Sequence, residues 1–352
     1  MDQHLNLKRY GYIAALVFGT ELPINASLKA DELVLLNWDQ YLAKSVVNDF
    51  HKQTGHTIKT VLFDSDQDRD EILSSSSGKT FDLAVMSTVA VHLFGQNNYL
   101  LPIDLHSLNS ATNIDPKWRD SCGNFGVPYF WGTVGIAYRT DKVNKAPESW
   151  AELMKPSTSL QGHIGMMQNF IDTLIPPLRL AGASIHTGDI DQLKAAFHAL
   201  QSQKPYVLTY QYAISFQEES RDKDKLYLAL VYSGDHHTLN NNEKGKPWRY
   251  TIPKEGTSLW VDCIAVLSSS TKRKAALQFI EFIHRPEIAA LNANTLKYAT
   301  TNRAAMKLID HSLLNDPSIY PSEKIVARSE QYRIVSDSNF RQRNRILRTI
   351  SK

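Results

Sequence analysis

Aromatic and acidic residues recur together along this 352-residue chain. Trp38-Asp39 is one pair and Trp260-Val-Asp262 another, with Tyr232 and Tyr298 as further aromatics. A ring face attracts a cation, and a nearby carboxylate fixes that cation through a charge-assisted hydrogen bond. Several such groups converging on one cleft make a receptor for a small organic polycation. The elements that carry them decide whether they converge.

Those elements alternate. An apolar strand over 33–36 ends at Asn37-Trp38. Helical spacing follows over 40–51 through Ala43, Val47 and Phe50, with Gly55 as its stop. A strand over 58–63, a helix from Asp70 to Ser74 and a strand over 81–86 come next. Ligand-facing loops are expected at the carboxyl ends of such strands. Trp38-Asp39 stands at the first of these ends and Ser87-Thr88 at the third. Farther on, the pattern predicts a short helix over 150–154, a strand over 164–167, and a helix over 172–181 interrupted at Pro176-Pro177. A helix over 190–201, strands over 227–232 and 259–267, and an amphipathic helix over 272–283 follow. Pro286 starts a further helix, and the basic tail over 341–352 reads as a docked helix with a solvated face. The fold class is α/β, and two similar lobes with a cleft fit the length better than one long sheet.

Charge narrows the partners. The chain holds 39 basic and 36 acidic side chains, a formal net charge of +3. That balance is too even to imply nucleic acid or a membrane surface, and no 18-residue apolar run suggests a spanning helix. Lys8 and Arg9 precede a short apolar segment over 10–19, with candidate cleavage points at Ala26 and Ala30. Residues 1–30 therefore read as a secretory signal peptide, a buried first helix being the alternative. An exported chain permits Cys122 and Cys263 to pair, although two buried thiols fit the sequence equally well. Two cysteines without a clustered histidine set make no zinc site. His236-His237 falls in a polar loop, without a matching ligand motif, and reads as an exposed or merely packed pair. No cofactor and no metal is called for.

No glycine-rich dinucleotide fingerprint or phosphate-binding loop occurs, nor Gly-X-Ser-X-Gly or His-Glu-X-X-His. The chain therefore reads as a binding protein and not as an enzyme. An anion receptor would offer arginines or helix-terminal amides. The candidates here are aromatic and acidic instead.

Six blocks carry a resemblance: 36–41 (Leu-Asn-Trp-Asp-Gln-Tyr), 81–88 (Phe-Asp-Leu-Ala-Val-Met-Ser-Thr), 127–132 (Val-Pro-Tyr-Phe-Trp-Gly), 252–256 (Ile-Pro-Lys-Glu-Gly), 260–262 (Trp-Val-Asp) and 285–287 (Arg-Pro-Glu). In this order they resemble the periplasmic polyamine-binding proteins, the spermidine/putrescine branch of the solute-binding proteins. The resemblance implies a two-lobe solute-binding fold with the ligand in an interlobe cleft. It places the first lobe at 31–137 plus 262–303 and the second at 138–261 plus 304–352.

It also implies a site. Trp38 and Tyr41 match the family's first-strand aromatics, Trp260 the tryptophan two residues before its central aspartate, and Asp262 that aspartate. Tyr232 falls where a tryptophan is usual, Tyr298 at an aromatic position after the Arg285-Pro helix, and Ser87 at a polar position of the third-strand loop. The family's aspartate and following glutamate after strand 164–167 become Asn169 and Asp172 here. Asp39 adds a charge where threonine or serine is usual, and Asp64 or Asp66 can add another. Rings would line the methylene chain while carboxylates hold its ammonium groups. The expected ligand is a polyamine, spermidine or norspermidine, with the shorter Asp172 suiting a differently spaced triamine. The expected partner is an inner-membrane ATP-driven importer, or else a membrane sensor controlling cyclic-diguanylate turnover and biofilm formation.

Overall fold

A computed structural model describes residues 30–63, 65–242, 245 and 247–351. The expected signal peptide and Asp64 lie outside the described residues, Ala30 excepted. The described strands are β1 (Glu32–Trp38), β2 (Thr57–Phe63), β3 (Leu83–Ser87), β4 (Val127–Arg139), β5 (Ile164–Gly165), β6 (Val207–Thr209), β7 (Leu228–Tyr232), β8 (Trp248–Thr251), β9 (Ser258–Val266), β10 (Ala299–Thr300) and β11 (Glu330–Gln331). Their order is β2-β1-β3-β9-β4-β7-β5-β6, with β8 and β10 also on β4 and β11 on β9. The architecture is the expected two-lobe α/β arrangement.

Strand β4 joins its two halves. Thirteen buried residues long, it pairs with β9 and β10 through its first part and with β7 and β8 through its second. A strand buried on both faces reads as a continuous apolar run, as Val127 to Tyr138 largely does. On one side β1 runs parallel to β2 and β3, and on the other β5 runs parallel to β6 and β7.

Register brings distant residues together. Asp262 of β9 stands opposite Ser87 of β3, Trp260 of β9 opposite Gly132 of β4, and Tyr232 of β7 opposite Val134 of β4. Gly132 is required there: a Cβ would lie 2.3 Å from the Trp260 ring. Four chemically marked positions thus meet near the strand crossing.

Most expected elements occur, with shifted bounds. The first helix is Lys44–Thr54, not 40–51. Gln40 has φ 49°, in the left-handed region, and the Ala43 amide donates to Asn292 Oδ1 at 2.9 Å. Those constraints keep 40–43 out of the helix and turn Tyr41 inward. Gly55 stops the helix as expected, with φ 76° and its amide on the His51 carbonyl. The second helix begins at Asp66, capped by Ser65, four residues before the expected Asp70. Pro176-Pro177 does not interrupt a helix. The prolines occupy the first turn of Ile175–Leu180, where a missing amide hydrogen costs nothing. The strand expected over 164–167 shrinks to two residues, because the chain leaves the sheet there. The tail helix runs Asp337–Ile350, and fully buried Arg343 donates to the Thr187 carbonyl at 3.0 Å.

Two local readings are settled or corrected. Cys122 and Cys263, both buried, form a disulfide with Cα atoms 5.9 Å apart. It spans 141 residues of chain, so its loop-entropy contribution is about 5 kcal/mol. His236-His237 is not in a loop. The pair occupies the first turn of the helix Asp235–Asn242, and His236 is buried. No described helix is long and apolar enough to cross a membrane.

Candidate functional site

The site is built around three tyrosine–aspartate pairs, in which Tyr41, Asp172 and Asp235 are buried and Tyr212, Tyr232 and Asp262 are partly buried. The Tyr41 hydroxyl donates to Asp262 Oδ2 at 3.0 Å, Tyr232 to Asp172 Oδ2 at 2.7 Å, and Tyr212 to Asp235 Oδ2 at 2.5 Å. The Tyr232 amide adds a bond to Asp235 Oδ2 at 2.7 Å, so the second and third pairs share a residue. Asp172 is fully buried, and its Oδ1 has no hydrogen-bond partner.

Aromatic rings connect the pairs. Successive centroids are 4.9 Å apart from Tyr41 to Tyr298, 6.5 Å from Tyr298 to Trp260, 6.2 Å from Trp260 to Tyr232 and 6.0 Å from Tyr232 to Tyr212. Trp260 is held by its indole N–H, which donates to the Thr133 carbonyl at 3.3 Å. Tyr298 approaches Gly234, which follows β7 with φ +99°; a Cβ there would lie 2.7 Å from the ring. Gly234 therefore meets both demands, for left-handed backbone and for close approach.

Burial sets the electrostatics. Desolvation pushes the Asp172, Asp235 and Asp262 carboxyls up to about 7 each. The tyrosine hydrogen bonds pull the other way. The Asp66 charge raises Asp172 and Asp262 further, so the start of the helix Asp66–Ser74 acts on the turn after β5 and on β9. Among the described residues, none of the three is ion-paired with a basic side chain. The cluster is a cation receptor by chemistry: acceptor oxygens and ring faces, with the buried Arg69 guanidinium, ion-paired to Asp66 and Asp70, acting on Asp262 without pairing with it.

The expected site residues separate into two groups. Tyr41, Asp172, Tyr232, Trp260, Asp262 and Tyr298 are brought together. The others have additional partners. Trp38 packs on Phe63 with centroids 4.3 Å apart at the margin. Exposed Asp39 accepts from the Gln40 amide at 2.8 Å. Asp66 is ion-paired with buried Arg69. Ser87 caps the helix Thr88–Gln96. Asn169 Oδ1 accepts the Ile171 and Asp172 amides at 2.9 and 3.1 Å, so it shapes the turn that presents Asp172.

Asp235 and Tyr212 were missed. Asp235 carries a usable signal, an acid shortly after a strand-end aromatic, although three residues separate it from Tyr232 where Asp39 adjoins Trp38. Tyr212 had none, as only folding brings it to Asp235.

The model of the bacterial extracellular solute-binding proteins matches residues 45–316. The chain belongs to this family, in its periplasmic polyamine-binding branch. This solute-binding protein is 35% identical over 320 residues to a norspermidine sensor of Vibrio cholerae, covering 91% of this chain and 89% of the relative. A spermidine/putrescine-binding periplasmic protein of Escherichia coli K12 is 28% identical over 306 residues, covering 85% of each. Among solved structures, the spermidine/putrescine transporter substrate-binding protein of Streptococcus pneumoniae superposes with a TM-score of 0.78 at 24% identity, covering 92% of this chain and all of that one. The family assignment makes the chain a periplasmic binding protein and not an enzyme, and the disulfide accords with an oxidising compartment.

Proposed function

We propose that this solute-binding protein holds a linear polyamine, a triamine of the spermidine or norspermidine type, in the cleft between its lobes. The observation that carries the reading is a set of three carboxylates, Asp172 and Asp235 buried and Asp262 partly buried, none ion-paired among the described residues, beside a chain of rings. A protonated triamine brings three positive charges, because aliphatic amines stay protonated near neutral pH. The rings lie along its methylene segments and the carboxylates accept its N–H groups. Trp38, Asp39, Asp66, Ser87 and Asn169 complete the expected wall.

We place the lobes at 31–137 plus 262–303 and at 138–261 plus the C-terminal part, with one amendment. Residues 304–320 go with the first lobe. Asn294 donates to the Leu308 carbonyl, and the Tyr320 hydroxyl accepts from the Thr300 amide at 3.2 Å. Closure then joins Tyr41, Asp262 and Tyr298 of one lobe to Asp172, Tyr232 and Asp235 of the other.

The closed, loaded form is presented to a membrane partner. Delivery to an ATP-driven importer is the first reading, supported by the spermidine/putrescine-binding relatives. The second is presentation to a membrane sensor that sets cyclic-diguanylate levels and biofilm formation, supported by the 35% identity to a norspermidine sensor. Calorimetric titration with putrescine, spermidine, norspermidine and spermine tests the binding, and absence of heat with all four overturns it. Deleting the gene separates the outputs: loss of labelled polyamine uptake marks the importer, and altered cyclic-diguanylate with normal uptake marks the sensor.

A further inference from the structure

His236 and His237 are neighbours at the start of one helix, where successive side chains ordinarily diverge by about 100°. Here their ring centroids are only 4.0 Å apart. Neither His236 Nδ1 nor His237 Nε2 has a hydrogen-bond partner in the protein, although both atoms are buried. His236 is 7% exposed and packs near the Tyr250 ring, with centroids 5.9 Å apart. Facing them is Asp316, whose Oδ2 lies 3.8 Å from His237 Nε2. One ligand atom from each of the three residues falls within 4.8 Å of the others.

The third residue comes from a different part of the fold. The histidines follow β7 and Asp235, whereas Asp316 lies in the segment that Tyr320 and Leu308 anchor on the first lobe. Asp316 Oδ1 is fixed by the Ser318 amide at 2.9 Å, which leaves Oδ2 toward the rings. We propose that His236, His237 and Asp316 form a site for a divalent transition-metal cation of the zinc type, and that the bound ion joins the two lobes beside the cleft.

Two imidazoles and a carboxylate are a usual zinc donor set, with a water in the fourth position. His237 and Asp316 keep 37% and 28% side-chain exposure, so the site lies at the protein surface although His237 Nε2 itself is covered, and an ion enters by a local shift of these side chains. Tetrahedral ligands at 2.0–2.1 Å stand about 3.3 Å from one another. The His237–Asp316 gap of 3.8 Å therefore tightens by roughly half an ångström on binding, and a gap as wide as 4.8 Å by about 1.5 Å. Neutral imidazole is the form of histidine that ligates a metal. Asp316 favours a cation here, while Lys297 acts on His237 in the opposite sense. The site adjoins the tyrosine–aspartate cluster, since Asp235 directly precedes His236, but shares no ligand with it and does not require a polyamine.

Zinc chloride titrated calorimetrically into the tag-free protein, without polyamine, tests the site. The wild-type protein should take up one more zinc ion than His237→Ala or Asp316→Asn, with at least tenfold tighter binding in that class. Identical stoichiometry and affinity in all three proteins overturns the site. Asp316→Asn is half-exposed and nearly isosteric, so it keeps the test valid even where a histidine variant folds poorly. Small-angle scattering reads the bridging: zinc should reduce the radius of gyration of the wild-type protein and leave Asp316→Asn unchanged. An equal radius with and without zinc in the wild-type protein overturns the joining of the lobes.

Discussion

Asp172→Asn separates charge from shape at the most deeply buried carboxylate. The asparagine Oδ1 can still accept the Tyr232 hydroxyl, which is 2.7 Å from the carboxylate now. Only the negative charge goes. In the closed, ligand-free form that charge is costly: raising the carboxyl from 3.8 to about 7 corresponds to on the order of 4 kcal/mol to ionise it there. An ammonium group offsets that cost in the loaded form. Removing the carboxylate leaves the ammonium buried without its partner, a penalty of about 2–5 kcal/mol, or roughly 30-fold to several thousand-fold in affinity. The variant should therefore bind a triamine far more weakly at pH 8, while its ligand-free form closes more readily than wild type. Calorimetry gives the affinity, small-angle scattering the closure, and far-ultraviolet circular dichroism the fold. A folded variant within threefold of wild-type affinity refutes the assignment of Asp172 to a ligand charge.

Three further outcomes follow from the same geometry. Asp235→Asn should also weaken triamine binding at least tenfold by calorimetry, although Asp235 had no place in the expected site; unchanged affinity would confine Asp235 to anchoring Tyr212. Reducing the Cys122–Cys263 disulfide should lower the melting temperature by several degrees in a thermal scan. It should also weaken ligand binding, because Cys263 adjoins Asp262. Asp172→Glu should change the ratio of norspermidine to spermidine affinity, since one added methylene moves the carboxylate along the amine; equal changes for both triamines reject the spacing argument.

The sequence made the scaffold legible wherever apolar periodicity was strong. Strands β1, β2, β3, β7 and β9 and the helix Arg273–Ile283 lie within a residue or two of their expected bounds. Failures came where tertiary contacts override local pattern. Asn292, 249 residues away, holds Ala43 outside its helix, and the proline pair reads as a break until it is seen in a first turn. The site was legible through its sheet residues, whose strand-end positions reflect register. It was less legible at Asn169, Ser87 and Asp66. Their chemistry suggested ligand contact, yet the fold gives each a neighbour of its own. The histidine pair illustrates the same limit, because Asp316 lies 79 positions after His237 in the sequence.

The proposed closure is coupled to charge through the sign of the three shifts. A carboxyl whose closed-form value is raised favours closure fully when protonated, and that contribution is lost as pH rises through about 7. The empty closed form is therefore expected to gain population as pH falls from 8 to 6, and to lose it as the three aspartates ionise. At neutral pH and above, desolvation of the three carboxylates and the Asp66 charge acting on Asp172 and Asp262 are expected to disfavour the empty closed form. A polycation removes both penalties at once, so its differential affinity for the closed form is built from the same terms that disfavour closure without it. A neutral ligand of equal length would gain the ring contacts and leave the carboxylates unpaired. The cluster thus selects for charge before it selects for length, and closure reports that a polycation, rather than any elongated solute, occupies the cleft.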